Sequence, residues 1–143
     1  MILLDTNVLV RVTDRNDPMC QVCRHAVGNL RRQHEDLILV PQVLFEFWAV
    51  ATRPPAANGL GMNAQNASAW IYYFQRQFAV LPDHSLLLQS WHTLVKTHQI
   101  TGFRAHDARL VAAMQTHAID RLLTLNPDHF QGFPITLLDP ASL

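Results

Sequence analysis

Lysine, glutamate and cysteine are nearly missing from this 143-residue chain, and each shortage narrows what it can be. Cys20 and Cys23 are the only cysteines. That count excludes a multi-disulfide framework, and no second Cys pair exists to complete a zinc cage. A C-x-x-C can be a redox motif or half a zinc site. This one falls in an apparently helical stretch beside Val22 and Val27, where two reduced, semi-buried thiols are the plainer reading. No apolar run approaches the ~18 residues of a membrane-spanning helix. The start, Met1-Ile-Leu-Leu-Asp5, lacks the basic opening and long uncharged stretch of a signal peptide, so a cytoplasmic protein with no membrane partner is expected. Neither sign of charge is in surplus: 11 basic residues balance 11 acidic ones, at a pI of about 7.1. The broad basic footprint of a general nucleic-acid binder is therefore absent, although a local basic rim can coexist with an acidic pit. Lys96 is the single lysine; the other basic residues are arginines, suited to bidentate contact with phosphate or a partner's carboxylates.

Apolar residues, by contrast, make up 49% of the chain and charged ones 15%, which excludes disorder. The length favours one domain over residues 1–143. Ile2 to Leu4 form a short apolar run ending at Asp5, with a helix expected from Thr6 or Asn7. Asn16-Asp17-Pro18 signals a turn, and Met19 to His34 read as helical. Leu37 to Val40 have the length of a buried parallel strand. Pro41 suits a first helical position, and the helix it opens runs to Thr52. Residues 54–63 read as a loop, and Ala64 to Phe78 as an aromatic-rich helix. A strand at Val80-Leu81, helices at His84–His98 and Ala105–His117, and strands at Leu122–Leu125 and Ile135–Leu138 complete the pattern. Short apolar strands alternating with helices indicate an α/β fold with a mainly parallel sheet.

The informative feature is where the acids stand. Glu46, one of only two glutamates, lies in Val43-Leu44-Phe45-Glu46-Phe47-Trp48-Ala49-Val50, the most apolar helix. A buried carboxylate is costly unless neutralised, paired or bound to a metal. None of its helical neighbours, Gln42, Val43, Ala49 and Val50, is a cation. Asp5 closes the first strand, at the sheet edge where ligands bind in open α/β folds. Asp107 opens a helix, where it can equally complement the helix dipole. Asn126 and Asp128 follow another strand end, where an Asx-Pro turn is the alternative. If these segments share one crevice, three or four acids converge and require a counter-ion. Oxygen donors of this kind suit Mg²⁺, whose chemistry on such a site is phosphodiester hydrolysis.

At these residues the sequence resembles the PIN-domain family, and within it the VapC toxins. The likeness is carried by Leu4-Asp5-Thr6-Asn7-Val8-Leu9, by Glu46 with Ala51-Thr52-Arg53-Pro54 and Asn58-Gly59-Leu60, by His106-Asp107-Ala108-Arg109-Leu110, and by Leu123-Thr124-Leu125-Asn126 through Phe130. The resemblance implies a three-layer α/β/α sandwich and a Mg²⁺- or Mn²⁺-dependent endoribonuclease. It also implies a homodimer and a cognate antitoxin that occludes the active site. Asp5, Glu46 and Asp107 fall on the family's acidic positions. The last block departs: His129 precedes Phe130 where the family often has an acid, so a fourth ligand stays open between Asn126 and Asp128.

Several side residues carry two readings. Thr6 and Asn7 either hold water or phosphate at the site or cap the first helix. His106 either contacts RNA or sits on the surface. Arg11, Arg15, Arg53, Arg104 and Arg109 either line an RNA path, meet an antitoxin or are solvated. Trp48, Trp70, Tyr72, Tyr73 and Phe74 have helical spacing, which favours packing in the core or a dimer over base stacking. The RNA target (tRNA, rRNA or mRNA) is not readable. Two rivals stand beside the nuclease. An aspartyl-phosphate phosphatase would want an Asp where Asn7 stands. A catalytically silent PIN-like module would bind RNA or protein without cutting.

Overall fold

Ile2, Leu3 and Leu4 are completely buried, so both faces of the first strand are covered and it lies inside a sheet flanked by two layers. The computed structural model describes residues 1–143. In chain order the elements are β1 (Ile2–Leu4), α1 (Thr6–Thr13), α2 (Cys20–Arg32), β2 (Leu37–Leu39), α3 (Pro41–Thr52) and α4 (Ala64–Gln77). Then come β3 (Ala79–Val80), α5 (Leu87–Thr97), α6 (Arg104–Thr116), β4 (Arg121–Leu123) and β5 (Thr136–Leu138). Pro55–Ala57, Pro127–Phe130 and Pro140–Ser142 form 3₁₀ turns.

The sheet has five strands in the order β3-β2-β1-β4-β5, all parallel. Right-handed crossovers then put α1 to α4 on one face and α5 with α6 on the other. The packing agrees: α1 touches α2 and α3, α3 touches α4, and α5 lies against α6. The expected α/β/α sandwich is what forms. The strand order reverses between β1 and β4, and the crevice beyond their carboxyl ends is where such sheets bind ligands. At the opposite edge Arg121 grips Glu35 with two bonds of 2.7 and 2.6 Å, across the start of β1, and holds that carboxyl below its usual range. No helix is long and apolar enough to cross a membrane.

Local differences from the expected elements have local causes. The second helix stops at Arg32, before His34, which is left-handed at φ 59°. The fifth begins at Leu87 and not His84, because the Leu86 amide donates to His84 Nδ1 and closes a turn first. In the loop after α3, a Cβ on Gly59 would stand 2.1 Å from the Arg53 carbonyl oxygen, so only glycine fits. Cys20 and Cys23 are buried free thiols, deeper than expected, and burial pushes the Cys23 thiol up to about 11. The aromatic helix contributes less core than its spacing suggests. Phe74 is fully buried, whereas Tyr72 is 67% exposed.

Phe74 meets Phe47 edge to face, with ring centroids 5.1 Å apart, and this pair joins α3 to α4. Both rings are fully buried. Phe47→Ala is therefore expected to cost about 3–5 kcal/mol in urea unfolding. A loss below about 1 kcal/mol would show that α3 is not anchored through this ring.

Candidate active site

Three connections deliver acids to the carboxyl edge of the sheet. Asp5 follows β1 directly. Glu46 lies in the second turn of α3, which starts two residues after β2. Asp107 lies in the first turn of α6, whose far end leads down into β4. Thr124 follows β4, beside Asp5.

Asp5 is the buried member, at 8% exposure. Its Oδ1 accepts from the Thr6 amide at 2.7 Å. Its Oδ2 accepts from Asn7 Nδ2 at 2.8 Å and from the Thr124 hydroxyl at 2.6 Å. Burial pushes this carboxyl up to about 6; Thr124 and the Thr6 amide pull it down, and the charges of Glu46 and Asp107 push it up again. Asp107, half-buried, is also raised, first by burial and then by Glu46, against the lowering pull of His129, Arg104 and His106. The three acids thus feel one another.

Glu46 is half-buried, not enclosed as its apolar helix suggested. The helix turns Val43, Leu44, Phe47 and Ala51 inward and leaves Phe45 and Trp48 to solvent, so Glu46 falls on the boundary. Its Oε2 accepts from the Thr6 hydroxyl at 2.6 Å and its Oε1 from Gln42 Nε2 at 2.8 Å. No cation touches Asp5 or Glu46. The contact nearest to an ion pair is His129 Nδ1, 3.9 Å from Asp107 Oδ2.

Neither Thr6 nor Asn7 caps the first helix. The N-cap of α1 is Asp5, while Thr6 and Asn7 spend their side chains on the acids. Asn7 also joins the Thr124 hydroxyl at 3.1 Å and accepts from the Leu125 amide at 3.1 Å. Asn126 and Asp128 are exposed and hydrogen-bond to none of the three acids; Asp128 takes Gln131 instead. Arg104 and His106 are exposed next to Asp107, and Arg104 reaches the His129 carbonyl at 3.4 Å. Arg11 lies at the far end of α1, paired with Asp17 at 3.2 Å. Two site residues escaped the sequence: Thr124, fully buried behind Asp5, and Gln42, which had figured only as an uncharged neighbour of Glu46.

The side chains of the three acids offer the donors a hard divalent ion requires. They are all oxygens, and Asp107 has no hydrogen-bond donor. Asp5 Oδ1 and both Glu46 oxygens each accept one bond and so keep a free lone pair. No three His, Cys, Asp or Glu side chains are close enough to enclose an ion by themselves. Oxygen donors of this kind suit Mg²⁺ or Mn²⁺, and an ion here would take few carboxylates and draw the rest of its shell from water or substrate.

The PIN domain family model matches residues 2–133. The FitAcB crystal structure from Neisseria gonorrhoeae superposes with a TM-score of 0.72 at 18% identity, over 100% of this chain and 100% of that one. A toxin–antitoxin complex from Klebsiella pneumoniae gives 0.63 at 18% identity, over 98% of each chain. VapC20 from Mycobacterium tuberculosis, a toxin that cleaves the sarcin–ricin loop, gives 0.61 at 19% identity, over 85% of this chain and 87% of that one. At such identities the likeness shows the fold. A comparison with curated proteins found no match.

The electrostatics of Asp5 set a pH signature. Its carboxyl is raised in the fold, so between about pH 4 and 6 the folded state holds a proton that the unfolded state has released. Stability in EDTA therefore declines as pH rises through that window, by about 3 kcal/mol from this group. Asp5→Asn removes the contribution. The stability difference between wild type and variant, measured by chemical unfolding from pH 4 to 7, should shift by that amount. Parallel curves would show that Asp5 is not held against its charge.

Proposed function

The chain belongs to the PIN-domain family, and from that premise we propose that it is a Mg²⁺- or Mn²⁺-dependent endoribonuclease, the toxin of a toxin–antitoxin pair. The observation that carries this reading is the meeting of Asp5, Glu46 and Asp107 at the switch point of the sheet, with mutual repulsion and no cation bonded to the first two. Three carboxylates so placed stabilise nothing in the fold by their charge; their use is to hold positive charge.

On this reading Asp5, Glu46 and Asp107 hold the ion, with Asn126 and Asp128 at the rim as candidates for a further contact. When bound, Mg²⁺ or Mn²⁺ supplies Lewis acidity for transfer of a phosphodiester to water. The chain's own residues orient and select. Thr6 fixes one oxygen of Glu46, and Asn7 with Thr124 fixes Oδ2 of Asp5, which leaves other lone pairs of both acids free. Arg104 and His106, exposed beside Asp107, meet the phosphates of the RNA on either side of the scissile bond. The toxin role is supported by the likeness to a chain of the Klebsiella toxin–antitoxin complex and to VapC20, itself a toxin. With it come a cognate antitoxin covering the crevice, a homodimer, one domain over residues 1–143 and a cytoplasmic site of action.

One observation favours the silent binding module: the acids do not by themselves form a closed ligand group. The experiment that separates the two readings is cleavage of pooled tRNA and rRNA by partner-free, refolded protein, in Mn²⁺ and in EDTA. Cleavage should require Mn²⁺, and Asp5→Asn or Asp107→Asn should lose more than the about 10–100-fold typical of an outer-shell change. Mn²⁺ at a hundredfold excess over its Kd should also stabilise wild type by about 2.7 kcal/mol in a thermal melt. Silence on the whole pool together with an unmoved melt would leave the binding module.

A further inference from the structure

Gln42 stands one turn before Glu46 on α3 and is 6% exposed. Its amide makes three bonds to three different parts of the site. Nε2 donates to Glu46 Oε1 at 2.8 Å and to the carbonyl of His106, the residue before Asp107, at 2.9 Å. Oε1 accepts from Arg109 Nη1 at 2.8 Å. Turning the amide over would press its NH₂ against the guanidinium and its oxygen against two other acceptors, so the network admits one orientation. Behind it, Arg109 Nη2 is held by Asp83 Oδ2 at 2.8 Å.

We infer that Gln42 is a positioning residue that ties Glu46 to the turn carrying Asp107 and keeps a neutral amide between Glu46 and Arg109. The inference rests on reading the three acids as a cation site. A carboxylate needs donors to stay in place, but a cationic donor would cancel the charge for which the site exists. Lysine at position 42 would do that. Glutamate would repel Glu46 and capture Arg109. A side-chain amide donates to the acid and accepts from the arginine at once, so it holds both without letting them meet. Arg109 is left to Asp83, on the outer side of the network.

The test is calorimetric titration with Mn²⁺ alone, on wild type, Gln42→Leu and the double variant Gln42→Leu/Arg109→Leu, with circular dichroism to confirm folding. Gln42→Leu should weaken Mn²⁺ binding about 10–100-fold, in the range of outer-shell changes at metal sites. The double variant should recover much of that loss, because no guanidinium remains to fall onto Glu46. With RNA, the single variant should lose kcat at a KM little changed. If Gln42→Leu does not fold, Gln42→Met keeps the length without the amide and takes its place. Wild-type Mn²⁺ affinity in the folded single variant, or a double variant no tighter than the single one, would overturn the inference alone. Wild type that binds no Mn²⁺ would instead overturn the cation site, and this inference with it.

Discussion

Asp5 closes β1, opens α1 and is buried between them, and most of the carboxyl edge is organised around it. Its amide donates to the Leu123 carbonyl at 3.0 Å, which ties the end of β1 to β4. Its carbonyl receives the Val8 and Leu9 amides that start the helix. Its side chain gathers Thr6, Asn7 and Thr124. Both oxygens accept at once, which an asparagine amide, with its single oxygen, cannot match, so the geometry calls for a carboxyl group. The charge is an extra cost, since burial outweighs the donors that reach the carboxylate and the neighbouring acids add to the strain. On the nuclease reading, that cost at the switch point is what a bound cation would relieve.

The surroundings of the acids follow one rule. Every side chain that holds Asp5 or Glu46 in place is neutral: Thr6, Asn7, Gln42 and Thr124. The nearby arginine, Arg109, meets neither acid; it pairs with Asp83 and touches the network only through the Gln42 amide oxygen. Where an acid has a purely structural task, the opposite arrangement appears: Glu35 is gripped directly by Arg121. A bidentate arginine lowers a carboxyl and uses up its lone pairs. Neutral donors fix position and leave charge and coordination capacity free. That difference, more than burial, separates the candidate site from the ion pairs of the scaffold.

The parallel sheet and its helices were legible because the apolar strands are short and continuous and the helices amphipathic. The acids were legible because each interrupts or abuts an apolar run where a carboxylate is out of place. What supports them was not. Thr124 is a common residue at a strand end, and its partner lies 119 positions away. Gln42 was visible only as a neighbour lacking charge, while its role depends on a carbonyl 64 residues on and a guanidinium 67 residues on. Local pattern carries no information about such pairings. The depth of Glu46 was misjudged for a related reason: hydrophobic composition does not say where the boundary of a buried helical face runs. In the aromatic helix, spacing favoured core or dimer packing for Tyr72 and Phe74 alike and could not say that only Phe74 turns into the core.

The zero net charge of the chain bears on how a polyanion would reach this crevice. With no overall positive field, long-range attraction contributes little, and the approach of RNA depends on charge within about a Debye length of the site. There the bare acids repel phosphate, and His129, Arg104 and His106 supply the local opposition beside Asp107. On the nuclease reading a divalent cation reverses the sign of the crevice, so it must favour RNA binding as well as chemistry. Linkage makes the effect reciprocal: RNA tightens the cation by the same factor that the cation tightens RNA. A site with few protein ligands gains most from this, because phosphate oxygens complete a shell that the protein leaves to water. On the nuclease reading, cation and RNA would therefore strengthen each other's binding at Asp5, Glu46 and Asp107.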